Sequence, residues 1–411
     1  MPGWDVSYGF QGRFRFEMEA ERIAAAHLAP ASLDDPRGSI AGALAHPLEY
    51  PPLEQCVVPG DRIVLVLDRH TPCSAELIAE LWSGLAHRGV QATDVSILQP
   101  ADFRGPSPGD PRTALPENVR SDISWVVHDP TRSGDCAYLA STASGERVYL
   151  ARAILDADVV IPIGGLGYDP LLGYRGTHSV FYPGLSDIDA MRKAVGQGHD
   201  ELTPDDARPL RQVIDEVAWL IGSQFVVQVI PGSGSGIAEV IAGQADAVLK
   251  RGRQRLNKLW RMDVSERPEL VIAAVEADAA GHRWSQIATA LDTARRIVAR
   301  DGRVLLLTEL AEPPSDGIKL ISECRAARDA LQPLRTAAPP DLVSATQLAH
   351  AIDWTNVYLL SRLDSQLVED LFMIPLGGVD EALRLISGDE RCAIVGGAQH
   401  TSVRLLEQTS G

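Results

Sequence analysis

Six runs dominated by apolar residues constrain this chain more than any other feature: RIVLVLD (62–68), ADVVIPI (157–163), QFVVQVI (224–230), ELVIAAVEA (269–277), RVLLLTEL (303–310) and RCAIVGG (391–397). Strands that read as near-continuous apolar runs are buried on both faces, and this occurs where helices cover both sides of a parallel sheet. Amphipathic stretches lie between the runs, among them SAELIAELWSGLAHRG (74–89), DDARPLRQVIDEVAWLIGS (205–223), QADAVLKRGRQRLNKLW (244–260) and WSQIATALDTARRIVARDG (284–302). The alternation predicts an α/β protein with mainly parallel sheets. It restarts after SERPEL (265–270), so two α/β domains are expected, 1–265 and 266–411, with a cleft between them. DVSYGFQGRFRFEME (5–19) has the period of two of a β-hairpin, and Ser74 is the expected N-cap of the helix that follows the first strong strand.

Composition narrows the function. A formal net charge of −17 argues against nucleic acid and anionic membranes, which need a basic footprint. The five cysteines are scattered with no C-x-x-C pair, and the ten histidines form no H-x-x-x-H or Cys/His cluster. Reduced thiols in a cytoplasm fit this better than a disulfide framework or a metal centre. The N-terminus lacks the pattern of a signal peptide, and no apolar run is long enough to span a bilayer. The expectation is a cytoplasmic protein with a small-molecule ligand, no nucleic-acid or membrane partner, and an oligomeric state left open.

Three stretches bear on chemistry. PGSGSG (231–236) has the glycines of a phosphate loop, but IAEVIAGQ after it alternates, so a turn between two antiparallel strands is expected. LVLDRHTP (65–72) places Asp68, Arg69, His70 and Thr71 just past a buried strand, where open α/β sheets bind ligands. The bland reading is that Asp68 caps the turn while Arg69 and His70 are solvated. GGLGYDPLLGYRGTHSVFYPG (164–184) leaves another such strand carrying Asp169, Arg175, Thr177, His178 and Ser179. His178 with Asp169 would make an acid/base pair or orient a ligand; otherwise it is an exposed loop histidine.

Longer stretches carry a resemblance. SYGFQGRFRFEM, IAGALAHPLEYPPLEQCVVPGDRIVLVLD, HDPTRSGDCAYLASTASGERVYLARAILDADVVIPIG and GYRGTHSVFYPGLSDIDAMR follow one another nearly without gaps. In that order they resemble the nickel-pincer-dependent lactate racemase family. The resemblance implies two α/β domains with an active site between them. It also implies an Asp followed three residues later by Arg and Pro, where this chain has Asp68, Thr71 and Pro72, with Arg69 as a possible substitute. A G-x-H-R motif falls near QPADFRGP, which holds Phe103 and Arg104 and no histidine. Asp169 stands at a catalytic histidine, Ser179 at the lysine that binds the cofactor covalently, and Val195 at a nickel-ligand histidine, with His199 four residues on. Gln286 and Thr289 stand at the family's Gln and Lys.

Serine cannot make the lysine's link and valine has no lone pair for nickel. The first expectation is therefore a divergent member that binds another small molecule through Asp68, Arg69, Thr71, Arg175, Thr177, Ser179, Gln286 and Thr289. It would have no covalent pincer and no lactate racemase activity, with Asp169 and His178 as the catalytic candidates if it is an enzyme. The alternative is an isomerase, a racemase or epimerase of another 2-hydroxy acid. That enzyme would hold the nickel-pincer nucleotide without a covalent bond, with His178 or His199 as metal ligand. A third expectation is a structural partner of an active family member.

Overall fold

The structure is a computed structural model and describes residues 2–100, 109–195 and 202–406. It forms two compact units, one of residues 31–256 and one of residues 1–30 with 257–411. The division falls nine residues before the expected 265/266 boundary, and the first thirty residues join the C-terminal half. Their reason for doing so is backbone pairing, since Ile23–His27 hydrogen-bonds in parallel to Cys392–Val395 as a sheet edge. Among the described residues no helix is long and apolar enough to cross a membrane.

The 31–256 unit is built on a six-stranded sheet. Its order is Ile237–Gln244, Phe225–Pro231, Val159–Gly165, Ile63–Leu67, Val95–Pro100 and Ser124–His128, parallel except for the first pair. The apolar run of Ile63–Leu67 divides by alternate residues. Ile63, Leu65 and Leu67 pack into one core, and Val64 and Val66 into another on the opposite face. Both faces are thus buried, which is why the sequence does not alternate. The Ser74–His87 helix begins where expected, but Cys73 occupies the cap in a left-handed conformation and no side chain caps it, so Ser74 is the first helical residue. The glycine-rich 231–236 segment joins antiparallel strands, with Gly232 N–H bonded to Gly236 O at 3.0 Å. No helix follows to hold a phosphate there.

The other unit has a wholly parallel sheet, ordered Ile374–Pro375, Asn356–Leu360, Arg303–Leu307, Leu270–Ala274, Cys392–Val395 and Ile23–His27. Val271 and Ala273 face a helical layer that includes Trp284–Ile297, while Leu270, Ile272 and Ala274 face Val6, Phe14 and Phe16. Those three come from the expected hairpin, Gly3–Tyr8 with Gly12–Glu17.

Candidate functional site

In the 31–256 unit the chain order of the strands reverses between Ile63–Leu67 and Val159–Gly165. Loops leaving such a pair run in opposite directions and open a crevice outside the carboxyl ends, the usual ligand position in open α/β sheets. Asp68 and the Gly164–Gly167 turn stand there. Asp68 N–H donates to Ile163 O at 2.7 Å, and the Asp68 carboxylate accepts from Arg69 N–H at 2.8 Å. Thr71, nearly fully buried, donates its hydroxyl to Asp68 O at 2.8 Å. A Cβ at Gly164 would lie 3.1 Å from Asp68 Cβ and 3.7 Å from Gln228 Oε1. Glycine there lets Asp68 and Gln228 approach the same stretch of backbone.

Gln228 is fully buried in the Phe225–Pro231 strand. A buried amide needs partners. Its Oε1 accepts from Thr177 N–H at 2.9 Å, and its Nε2 donates to Val227 O at 2.9 Å. Thr177 has a left-handed backbone, φ 52°, and its hydroxyl accepts from Arg211 at 3.1 Å. A second Arg211 nitrogen donates to Gly176 O at 3.3 Å. Gln228 and Arg211 together fix the turn that carries the expected site residues. The Arg175 guanidinium runs along the glycine turn. A Cβ at Gly165 or Gly167 would lie 3.6 or 3.8 Å from it, and Arg175 Nε is buried without a hydrogen-bond partner among the described residues.

The remaining loop residues have structural occupations. Asp169 ends the strand Gly167–Asp169, and its Oδ1 accepts from Leu171 N–H at 2.8 Å and Leu172 N–H at 3.0 Å, closing the turn to Gly173–Arg175. Ser179 Oγ accepts from Gly176 N–H at 3.0 Å. His178 is neither exposed nor paired with Asp169. It stacks on Phe181 with ring centroids 5.8 Å apart, and its Nε2 donates to Ser223 O at 3.2 Å. Burial, and then the Arg211 charge, pushes its pKa down to about 4, so it is neutral near pH 7. Half-buried, His178 thus meets Phe181 and Ser223 O, and its bond runs to backbone and not to Asp169.

Gln286 and Thr289 lie in the other unit, on the Trp284–Ile297 helix. Gln286 Oε1 accepts from Arg283 N–H at 2.8 Å, and the Thr289 hydroxyl donates to Ser285 O at 2.9 Å within its own helix. His199 and the Phe103–Arg104 stretch lie outside the described residues. Among the described residues no three His, Cys, Asp or Glu side chains form a metal-binding group. The donor set at the expected cofactor position does not fit a covalent pincer, because Ser179 offers a hydroxyl already bonded to Gly176. Of the expected set, Asp68, Arg175 and Thr177 gather around the strand reversal, joined there by Gln228 and Arg211. Gln228 had a signal in the sequence, as a polar residue inside an otherwise apolar run. Arg211 had none.

Residues 8–204 match the family model "Lactate racemase N-terminal domain". A curated lactate racemase of Thermoanaerobacterium thermosaccharolyticum is 19% identical over 408 residues, covering 94% of each chain. The solved lactate racemase apoprotein from that organism superposes with a TM-score of 0.78 at 18% identity, over 98% of this chain and 100% of that one. A crystal structure of a Thermotoga maritima protein follows at TM-score 0.67 and 12% identity, over 92% of this chain and 100% of that one.

Proposed function

We propose that this chain is a divergent member of the lactate-racemase-like family, binding a small molecule at the strand reversal of its 31–256 unit. It works without a covalently held nickel-pincer cofactor and without lactate racemase activity. The observation that supports this reading is the Ser179 hydroxyl, which holds Gly176 N–H where the family's resemblance calls for an amine. Two further losses point the same way. Thr71 spends its hydroxyl on Asp68 O, and Thr289 spends its own on its helix, so neither replaces a cation that would clamp a substrate carboxylate. The groups that would meet a ligand are the Asp68 carboxylate and the Arg175 guanidinium, one acceptor and one donor along a glycine turn that brings backbone close.

The test is intact-mass spectrometry of the full chain made in cells that build the pincer cofactor, with lactate turnover assayed in parallel. An unmodified mass and no turnover above the boiled control are expected. An adduct of cofactor mass, or interconversion of the lactate enantiomers, would overturn the reading.

A further inference from the structure

The sheet of the 31–256 unit comes apart at its amino end. Val159–Gly165 and Phe225–Pro231 are neighbours, yet their pairing begins only at Ile163 with Val227. Successive residues of a strand turn their N–H and C=O to opposite neighbours. Ile163 O accepts from Asp68 N–H, on the side of Ile63–Leu67. Pro162 therefore turns toward Phe225–Pro231 and has no N–H to give it, so the ladder stops there. Beyond it the Ser223 hydroxyl reaches Val160 O at 3.3 Å, where a backbone bond would otherwise run. A cavity of about 390 Å³ opens beside the separated strand ends, and every residue lining it belongs to the 31–256 unit. The Gly164–Gly167 turn is at the other end of the Val159–Gly165 strand, about 20 Å away by the rise of a strand.

The lining sorts by depth. Leu53, Ile154, Ile161 and Phe225 are buried and form the floor, while Leu155 and Ile221 are half-buried walls. Two polar side chains stand at the mouth, an exposed Gln224 and a half-buried Tyr50. The Tyr50 ring lies against Phe225, with centroids 5.7 Å apart, and its hydroxyl donates to Gln224 Oε1 at 3.5 Å. That bond is at the long limit, so each group keeps the capacity for a better partner. Among the described residues no Lys, Arg or His lines the cavity. Its one carboxylate, Asp158, is already bonded to Arg62 N–H at 2.9 Å and Arg62 Nε at 3.2 Å. Burial raises the pKa of the Cys56 thiol; burial first, and the Cys56 charge second, raise that of Tyr50. Both groups are neutral near pH 7.

We propose that this cavity binds a neutral amphiphile with an aliphatic body and a single hydroxyl head. The body fills the space over Ile161 and Phe225, between the walls at Leu155 and Ile221. The head accepts from the Tyr50 hydroxyl and donates to Gln224 Oε1, replacing one long bond by two. A carboxylate head would enter an apolar place with no cation on its lining and with Asp158 beside it. An ammonium head would find that carboxylate already paired with Arg62. Mostly apolar walls, a few polar groups and this volume are the usual makeup of a small-molecule pocket. It is a second ligand position, at the amino end of a sheet whose carboxyl end carries the one proposed above.

The experiment is saturation-transfer NMR on the full chain titrated with 1-alkanols from butanol to octanol, with alkanoates of equal length as controls. Affinity should rise about fourfold with each added methylene, the effect of burying one. Each alkanoate should bind about tenfold more weakly than its alcohol, or worse. Leu155→Trp and Ile221→Trp enlarge half-buried wall residues into the open space, and each should weaken 1-octanol by about tenfold. Tyr50→Phe removes one oxygen at the mouth, leaves the core untouched, and should weaken it about fivefold. Circular dichroism identifies the variants that fold. No saturation transfer to any alcohol, affinity indifferent to chain length, or alkanoates that match the alcohols would each overturn the proposal. So would octanol binding that is unchanged in Tyr50→Phe and in whichever tryptophan variant folds.

Discussion

Two strand reversals in this chain have the same topology and opposite furnishings. At Ile63–Leu67 and Val159–Gly165 the chain supplies glycines, a buried amide and two arginines, and nearly every polar side chain is spent holding backbone. At Leu270–Ala274 and Cys392–Val395 it supplies a buried carboxylate, Asp278, paired with His400, and a second buried histidine, His282. Topology selects where a ligand would sit. The side chains decide whether the place is braced or left open to chemistry. The 164–184 loop has become mostly bracing, and the first three predictions test how much of its stability comes from that.

The largest effect is expected from Gly176→Ala. Gly176 has φ +123°, a conformation that L side chains rarely adopt, and a Cβ would come within 2.4 Å of Leu166 Cδ2 and 3.0 Å of Gln228 Oε1. Backbone strain and overpacking together should cost about 4 kcal/mol, read by urea unfolding. A loss under about 1 kcal/mol would mean the turn relaxes freely and is not a brace.

His178 gives the next effect, visible through pH. Its folded pKa of about 4 lies below the ordinary 6.5, so between those values the unfolded chain takes up a proton that the folded chain does not. Above pH 6.5 both forms are neutral and the residue contributes no pH dependence. As pH falls toward 4 the folded state loses on the order of 3 kcal/mol relative to the unfolded state. His178→Gln, which keeps a donor for Ser223 O, should flatten that acid limb. An unchanged limb would show that His178 is solvated after all.

Gln228→Leu should cost about 2 kcal/mol, because it leaves Thr177 N–H buried without an acceptor. The same substitution bears on what the sequence made legible. The apolar runs, the N-terminal hairpin and the glycine turn at 231–236 follow directly from periodicity, because burial on one or both faces is written into residue type. Ile23–His27 was not visible as a strand: its sequence, IAAAH, is short and alanine-rich, and only pairing with Cys392–Val395 makes it one. The site was half legible. Asp68 and Arg175 could be placed at a strand end from position alone. The occupations of Asp169, Ser179 and His178 could not, because the groups they bond are backbone atoms of Leu171, Gly176 and Ser223, which leave no trace in side-chain identity.

The smallest effect on stability, and the one most informative about the family's chemistry, is expected from Ser179→Lys. Loss of the Ser179 bond to Gly176 N–H should cost about 1 kcal/mol. If the loop lacked only its anchor, the new lysine would acquire the cofactor in cells that make it. Attachment needs a neutral amine. The new ammonium would enter a turn where Arg211 already donates to Gly176 O and to Thr177 Oγ1, with Arg175 on the same loop; these like charges would lower its pKa and favour the neutral amine, so protonation is not the obstacle. The position that the resemblance gives to a nickel ligand remains valine at 195, with no lone pair to offer. The lysine should therefore appear unmodified in intact-mass and peptide-mass spectra. A cofactor adduct on residue 179 would reverse the comparison, making the 31–256 reversal a dormant catalytic site and not a braced one.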